Sequence, residues 1–161
     1  MKLESYRKQQ ELTANMLPRL RPQRARRKLV VLHLVVTGIA AASAFLVLVA
    51  PAFSLVFAAL MLVLASTWTM IRITIDSEDQ APVSALDEYQ FERLERHRSF
   101  SAKLLSFSGS AFAFYLIART LFGTGMPHAE TLIVGWLLLL ATLIFGSYPA
   151  LALAWEKPDE E

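Results

Sequence analysis

The chain has 161 residues, 55% of them hydrophobic, and a formal net charge of +2. Four separable apolar runs carry the hydrophobic excess, which points to a one-domain integral membrane protein and excludes an ordinary soluble core. Cysteine is absent, which removes disulfide exchange, thiolate ligation of zinc or iron–sulfur clusters, and cysteine nucleophiles.

Residues 1–28 form a polar tail with nine basic residues and two acids. Leu3, Tyr6, Met16 and Leu17 mark one side of a short helix expected between residues 4 and 17, which Pro18 and Pro22 end. Arg19, Arg21, Arg24, Arg26, Arg27 and Lys28 then form a dense basic run against the first apolar stretch. The run reads as a positive-inside signal and as a contact for anionic lipid, worth about 1 kcal/mol per basic residue near the surface. Nucleic acid is not an expected partner, because the run is short and abuts a span. Arg26-Arg27 and the later Ala42-Ser43-Ala44 have the form of a twin-arginine export signal with a cleavage site. The long tail and the length of the apolar stretch argue against that reading.

Residues 29–71 contain no Asp, Glu, Lys or Arg. That is too long for one span of about 20 residues. Ala50-Pro51 is the expected break, because proline suits the first turn of a helix and is costly inside one. Two spans follow, 29–49 and 51–71, joined by a tight turn. A third is expected at 104–122, ending at 123–127, and a fourth at 131–155. An acidic tail, 156–161, closes the chain. The basic residues lie in the tail and in the middle segment 72–103, and the far-side turns are nearly uncharged. This asymmetry predicts both termini and the middle segment on the cytoplasmic side of a bacterial inner (plasma) membrane. Trp68 and Trp155 then fall at the inner interface and Trp136 near the outer one. The expected fold is all-α: four transmembrane helices as two hairpins, with a cytoplasmic amphipathic helix leading into the third.

Ionisable groups inside a membrane usually mark function. The expected spans carry none at mid-depth. Arg119 lies near the outer end of the third span and Glu130 at the start of the fourth, and they are expected to pair. Proton-coupled transport therefore lacks its usual groups. His33 is the only histidine within a span. Bis-histidine haem binding needs two well-placed histidines, so His33 is read as bonded to a carbonyl or water, and no cofactor or metal is expected. Ser106, Gly109, Ser110 and Ala113 recur at spacings of three and four, the pattern that lets helices approach closely. Pro149 is expected to kink the fourth span.

The middle segment holds seven acids and five basic residues. Residues 76–82 read as an acidic turn. Ser84 is the expected N-cap of an amphipathic helix over 84–100, with Asp87 three residues on. Leu86, Tyr89, Leu94, His97 and Phe100 fall largely on one side of it. The helix either runs straight into the third span or bends near residues 99–101. Asp87, Glu88, Glu92 and Glu95 are dense, but Arg93, Arg96 and Arg98 interleave with them, which suits a solvated surface better than a catalytic or metal site. Asp87, Glu88, Glu92, Arg93, Arg96 and Arg98 are the expected contact for a protein partner. Leu86-Asp87-Glu88 followed by arginines just before a span resembles a pattern in small four-span membrane proteins of high-GC Gram-positive (actinobacterial-type) bacteria. This chain has Phe100-Ser101-Ala102-Lys103 where that pattern has a small residue and tyrosine. The resemblance implies a fold and no activity.

The leading expectation is a non-enzymatic accessory, assembly or scaffold subunit of a larger inner-membrane complex, in contact with lipid and other membrane subunits. The alternative is a small oligomeric transporter or channel for an apolar or weakly polar solute, with the serines of the third span and Pro149 along its path. A lipid-acting enzyme using Asp87, Glu88 and Glu92 ranks third, and no catalytic residue is assigned.

Overall fold

The uncharged stretch 29–71 folds as two helices that part where Pro51 lacks an N–H. Helix α2 spans Gln23–Leu46 and α3 spans Phe53–Thr74, with turns between them. These assignments come from a computed structural model, which describes residues 3–123 and 127–158. Before them α1 covers Leu3–Thr13; after them come α4, Glu88–Phe122, and α5, His128–Glu156. Among the described residues there is no strand, and α2 to α5 are long and apolar enough to cross a membrane. The shortest, at 22 residues, reaches about 33 Å at 1.5 Å per residue, against a hydrocarbon core of about 30 Å. The chain is an all-helical membrane protein built as two hairpins, α2–α3 and α4–α5.

Helix α5 is central. Ile133, Leu140, Ser147 and Ala154 are buried on it at intervals of seven residues, a repeat that keeps one seam against its neighbours. It packs on α2, α3 and α4, whereas α4 packs chiefly on α5. One apolar cluster joins Val36, Ala40 and Ala44 of α2 to Phe57 and Leu64 of α3 and Leu140 of α5. A second, nearer the charged end, gathers Leu29, Ile71, Leu94, Ala150 and Leu153. The N-terminal tail, the middle segment and the end of α5 bond to one another, as described below, so they share one side of the bundle.

Several boundaries differ from expectation for local reasons. Helix α2 starts directly after Pro22, earlier than residue 29, so Arg24, Arg26, Arg27 and Lys28 are helical. The amphipathic helix begins at Glu88, with Asp87 as its N-cap in place of Ser84. The Asp87 carboxylate accepts from the Gln90 N–H at 2.7 Å, and the Gln90 side chain accepts from the Asp87 N–H at 3.3 Å. This is a reciprocal capping box, whereas Ser84 lies in a short 3-10 turn that makes no cap. From Glu88 the helix runs 35 residues without a break into the third span. Helix α5 continues through Pro149. Of the far-side turn at 123–127 and the acidic tail, residues 124–126 and 159–161 lie outside the described residues.

Candidate functional site

The end of α3 shapes the charged side. The Ser77 N–H reaches back to the Arg72 carbonyl at 2.8 Å and the Asp76 N–H to Ile73 at 3.2 Å, with Asp76 at φ 54°. This is the Schellman arrangement, which normally places glycine at the left-handed position. Asp76 and Ser77, both at positive φ, carry a strain cost there. Their side chains explain why they stand there. Asp76 pairs with Arg21 of the tail at 2.9 Å and with Lys157 beyond α5 at 3.6 Å. The Ser77 hydroxyl accepts from Gln9 of α1 at 2.9 Å.

The other two acids of this turn are paired as well. Glu78 binds Arg93 of α4. Asp79 binds Arg72 at 3.1 Å, and Arg98 donates to the Asp79 and Ala81 carbonyls at 2.8 and 3.3 Å. Burial raises the Asp79 carboxyl above the ordinary carboxylate range, against the opposing pull of Arg72 and Arg98. Tyr6 of α1 is buried against the same turn. Burial, with Glu78, Asp76 and Asp79 nearby, pushes its phenol up to about 12. The acidic turn is thus a hub that ties α1, α3, α4 and the end of α5 together.

The six residues of the basic run, 19–28, divide by environment. Arg19, Arg24, Arg27 and Lys28 are exposed, and Arg21 is half-buried against Asp76. Arg26, expected at a lipid surface, is instead only 4% exposed. Its guanidinium donates to the carbonyls of Arg21, Lys157 and Pro158. Arg27 donates to the Trp155 carbonyl at 3.2 Å, and its guanidinium lies 5.1 Å from the centre of the Trp155 ring. The twin arginines therefore donate to carbonyls at and just beyond the end of α5, where the helix dipole favours cations.

The six residues expected to meet a partner also divide. Arg93 and Arg98 turn inward to the hub, because Glu78 and the Asp79 and Ala81 carbonyls lie within reach. Asp87, Glu88, Glu92 and Arg96 are exposed, with Glu92 and Arg96 3.4 Å apart. Around Arg98 the inner side of α4 is fixed by Leu94, His97 and Ser101, all buried. His97 lies 3.2 Å from the Glu156 carboxylate and edge-on to Tyr148. Ser101 donates to the Phe145 carbonyl at 2.5 Å. That carbonyl is four residues before Pro149, which has no N–H to give it, so Ser101 supplies the missing donor from the neighbouring helix. The sequence signal for this bond was Pro149 itself, read as a kink and not as a freed acceptor.

The opposite side of α4 is unpacked over most of its length. Glu88, Glu92, Glu95, Arg96, Ser99, Ala102, Lys103, Ser106, Ser110 and Ala113 are all exposed. Gly109 is half-buried, yet a Cβ added there would meet no atom within 4 Å. Residues 88 and 113 are about seven turns apart at 3.6 residues per turn, so these positions form one stripe. It is charged at one end and made of small and hydroxyl residues at the other. Among the described residues no helix covers Ser106, Ser110 or Ala113.

Away from the charged side, Arg119 and Glu130 form the expected pair, with two contacts of 2.7 Å, and the Tyr115 hydroxyl donates to the same carboxylate. Beside them an apolar groove of about 810 Å3 lies between the end of α2 and α4, floored by α5. Its lining includes Phe45, Phe107, Ala111 and Leu137, with Tyr115 and Glu130 as polar residues. The serine on it is Ser108; Ser106 and Ser110 are not on its wall. His33 is fully buried and joins α2 to α3 through a 2.8 Å bond to the Thr67 hydroxyl. The Thr67 hydroxyl also lies 3.0 Å from the Leu64 carbonyl, and its one proton serves either that carbonyl or Nδ1 of His33. The expected carbonyl or water is here a threonine.

Comparison with protein families, with curated proteins and with solved structures gives no match for this chain.

Proposed function

We propose that the chain is a non-enzymatic accessory or assembly subunit of a larger complex in a bacterial plasma membrane, with both termini cytoplasmic. One observation carries the reading. Helix α4 is a single rod of 35 residues, about 52 Å long, that exposes one continuous stripe from Glu88 through Ser106 to Ala113. In its apolar half the stripe offers what a close helix–helix contact needs, small side chains and hydroxyls. In its polar half it offers Glu88, Glu92 and Arg96 for orientation and register. On the charged side the hub fastens its acids to arginines and a lysine. The rigid docking of α1, the connector and the end of α5 suits a part that holds another subunit.

The test is purification in mild detergent at native expression level. The wild-type chain is expected in a complex larger than itself, and Ser106→Leu and Gly109→Leu should release it from that complex. Thermal stability of the released chain should be unchanged, because both positions face open space. Recovery of the wild type only as a monomer or homo-oligomer would overturn the proposal.

The apolar groove favours a second reading, a small oligomeric carrier for an apolar solute. It predicts flux in liposomes that responds to Ala111→Trp, a change that fills the groove, and not to Ser106→Leu.

A further inference from the structure

Helix α4 and its neighbour α2 show different surfaces at one depth. Leu94 of α4 packs with Leu29 of α2, Ile71 of α3 and Leu153 of α5, so these residues mark one level, where the apolar stretch of α2 begins. Further along, Ser101 bonds to the Phe145 carbonyl, and toward the far end Arg119 pairs with Glu130. Helix α4 therefore keeps a steady antiparallel register on α5. From Leu94 to Lys103 is about 13 Å at 1.5 Å per residue. By the same measure Val35 and Ile39 of α2 lie about 9 and 15 Å past Leu29, and they are 52% and 53% exposed. Lys103 is exposed at that depth too. One helix thus turns large apolar side chains outward where another turns out an ammonium. Hydrocarbon suits the first surface and is costly for the second, because a charge at membrane depth needs a partner.

Among the described residues nothing supplies that partner: Lys103 makes no ion pair or hydrogen bond. Arg96 has Glu92, and Glu95 lies about 12 Å along the helix from Lys103. The surface around the ammonium is hollowed. Glu95, Ser99, Ala102, Lys103 and Ser106 line a shallow concavity of about 580 Å3, because small side chains stand between long ones. Arg98, at its edge, is turned to the Asp79 and Ala81 carbonyls. Ser99 and Ser106 stand one turn to either side of Lys103, exposed and without a hydrogen bond among the described residues. An ammonium flanked by two hydroxyls offers donors that the two oxygens of a carboxylate accept. We propose that the subunit seated on α4 is a membrane-spanning helix that brings a carboxylate to Lys103 within the depth of the bilayer. This rests on the accessory-subunit reading and gives the partner its chemistry.

The test uses the full chain in native membranes. A membrane-permeant carbodiimide condenses an amine with a carboxylate that already touches it. The wild type should give one adduct with a different protein, joined through Lys103 and located by peptide mass spectrometry. Lys103→Arg keeps the cation but does not couple, so it should lose the adduct and keep recovery of the complex within about twofold. Lys103→Leu suits hydrocarbon but strands the partner's carboxylate, and should lower recovery of the complex at least about tenfold. Lys103→Glu should do the same through like-charge repulsion. The side chain is exposed, so each released variant should keep the thermal midpoint of the wild type. If Lys103→Glu fails to fold, Lys103→Leu and the wild-type adduct decide alone. An undiminished complex with Lys103→Leu, or no Lys103 adduct from an intact complex, would overturn the inference and leave the accessory-subunit reading standing. Lys103 would then snorkel to lipid headgroups. An adduct with a second copy of the chain would overturn it as well. Recovery of the wild type only as a monomer would remove the accessory-subunit reading itself, and this inference with it.

Discussion

Asp76 occupies a left-handed position where glycine would be unstrained, and its carboxylate ties Arg21 and Lys157 to the end of α3. The two roles separate by substitution. Asp76→Gly should relieve backbone strain of about 1 kcal/mol while releasing the tail, so the thermal midpoint should change little. Limited proteolysis between residues 13 and 22 should accelerate. Unchanged protection of the tail would show that Arg21 does not need Asp76. Asp79 gives a pH test. Burial raises its pKa above the ordinary value of 3.8, so the folded state holds this proton to higher pH than the unfolded chain does. Stability therefore falls as pH rises through the interval between the two values. Asp79→Asn does not titrate, and the wild type should lose midpoint relative to it on going from pH 4 to pH 7. A constant gap, or one that moves in the wild type's favour, would contradict the burial argument.

Within the elements, the bond from Ser101 to Phe145 depends on Pro149. If Ser101 compensates for the missing N–H, Ser101→Ala should cost about 1 kcal/mol in the wild type and clearly less beside Pro149→Ala. Additive losses in that double-mutant cycle, read from thermal or denaturant unfolding, would refute the coupling. The four spans were legible in the sequence because an uncharged run of about 20 residues has few fates, and Pro51 marks the one break in residues 29–71. The Arg119–Glu130 pair was legible from two charges at matching depth. The helix start at Asp87 was missed by three residues, because Ser84 and Asp87 compete for the same role and Gln90 decides it. The fates of Arg26, Arg93 and Arg98 were not legible at all. Each satisfies carbonyls or an acid far away in sequence, and composition cannot distinguish an arginine that turns inward from one that faces water or lipid. The small-residue pattern on α4 could be read, but whether the chain's own bundle covered it could not.

At the level of the whole molecule, the two sides of α4 carry different tasks. Leu94, His97 and Ser101 fasten the helix to α5, and Arg93 and Arg98 fasten it to the acidic hub. The opposite stripe, from Glu88 to Ala113, is left unpacked through both the charged region and the span. A helix anchored on one side, with small and hydroxyl side chains along the span half of the other, is the edge that the proposal assigns to a second protein. The direct test is a photo-crosslinking residue placed singly at positions 92, 99, 106 and 113 in native membranes, with position 62 of α3, whose leucine is 72% exposed, as the control. The accessory-subunit account predicts one discrete adduct of the same mass, with a different protein, from all four stripe positions and none from position 62. Adducts with lipid alone, with a second copy of the chain, or with a different protein at each position would contradict it.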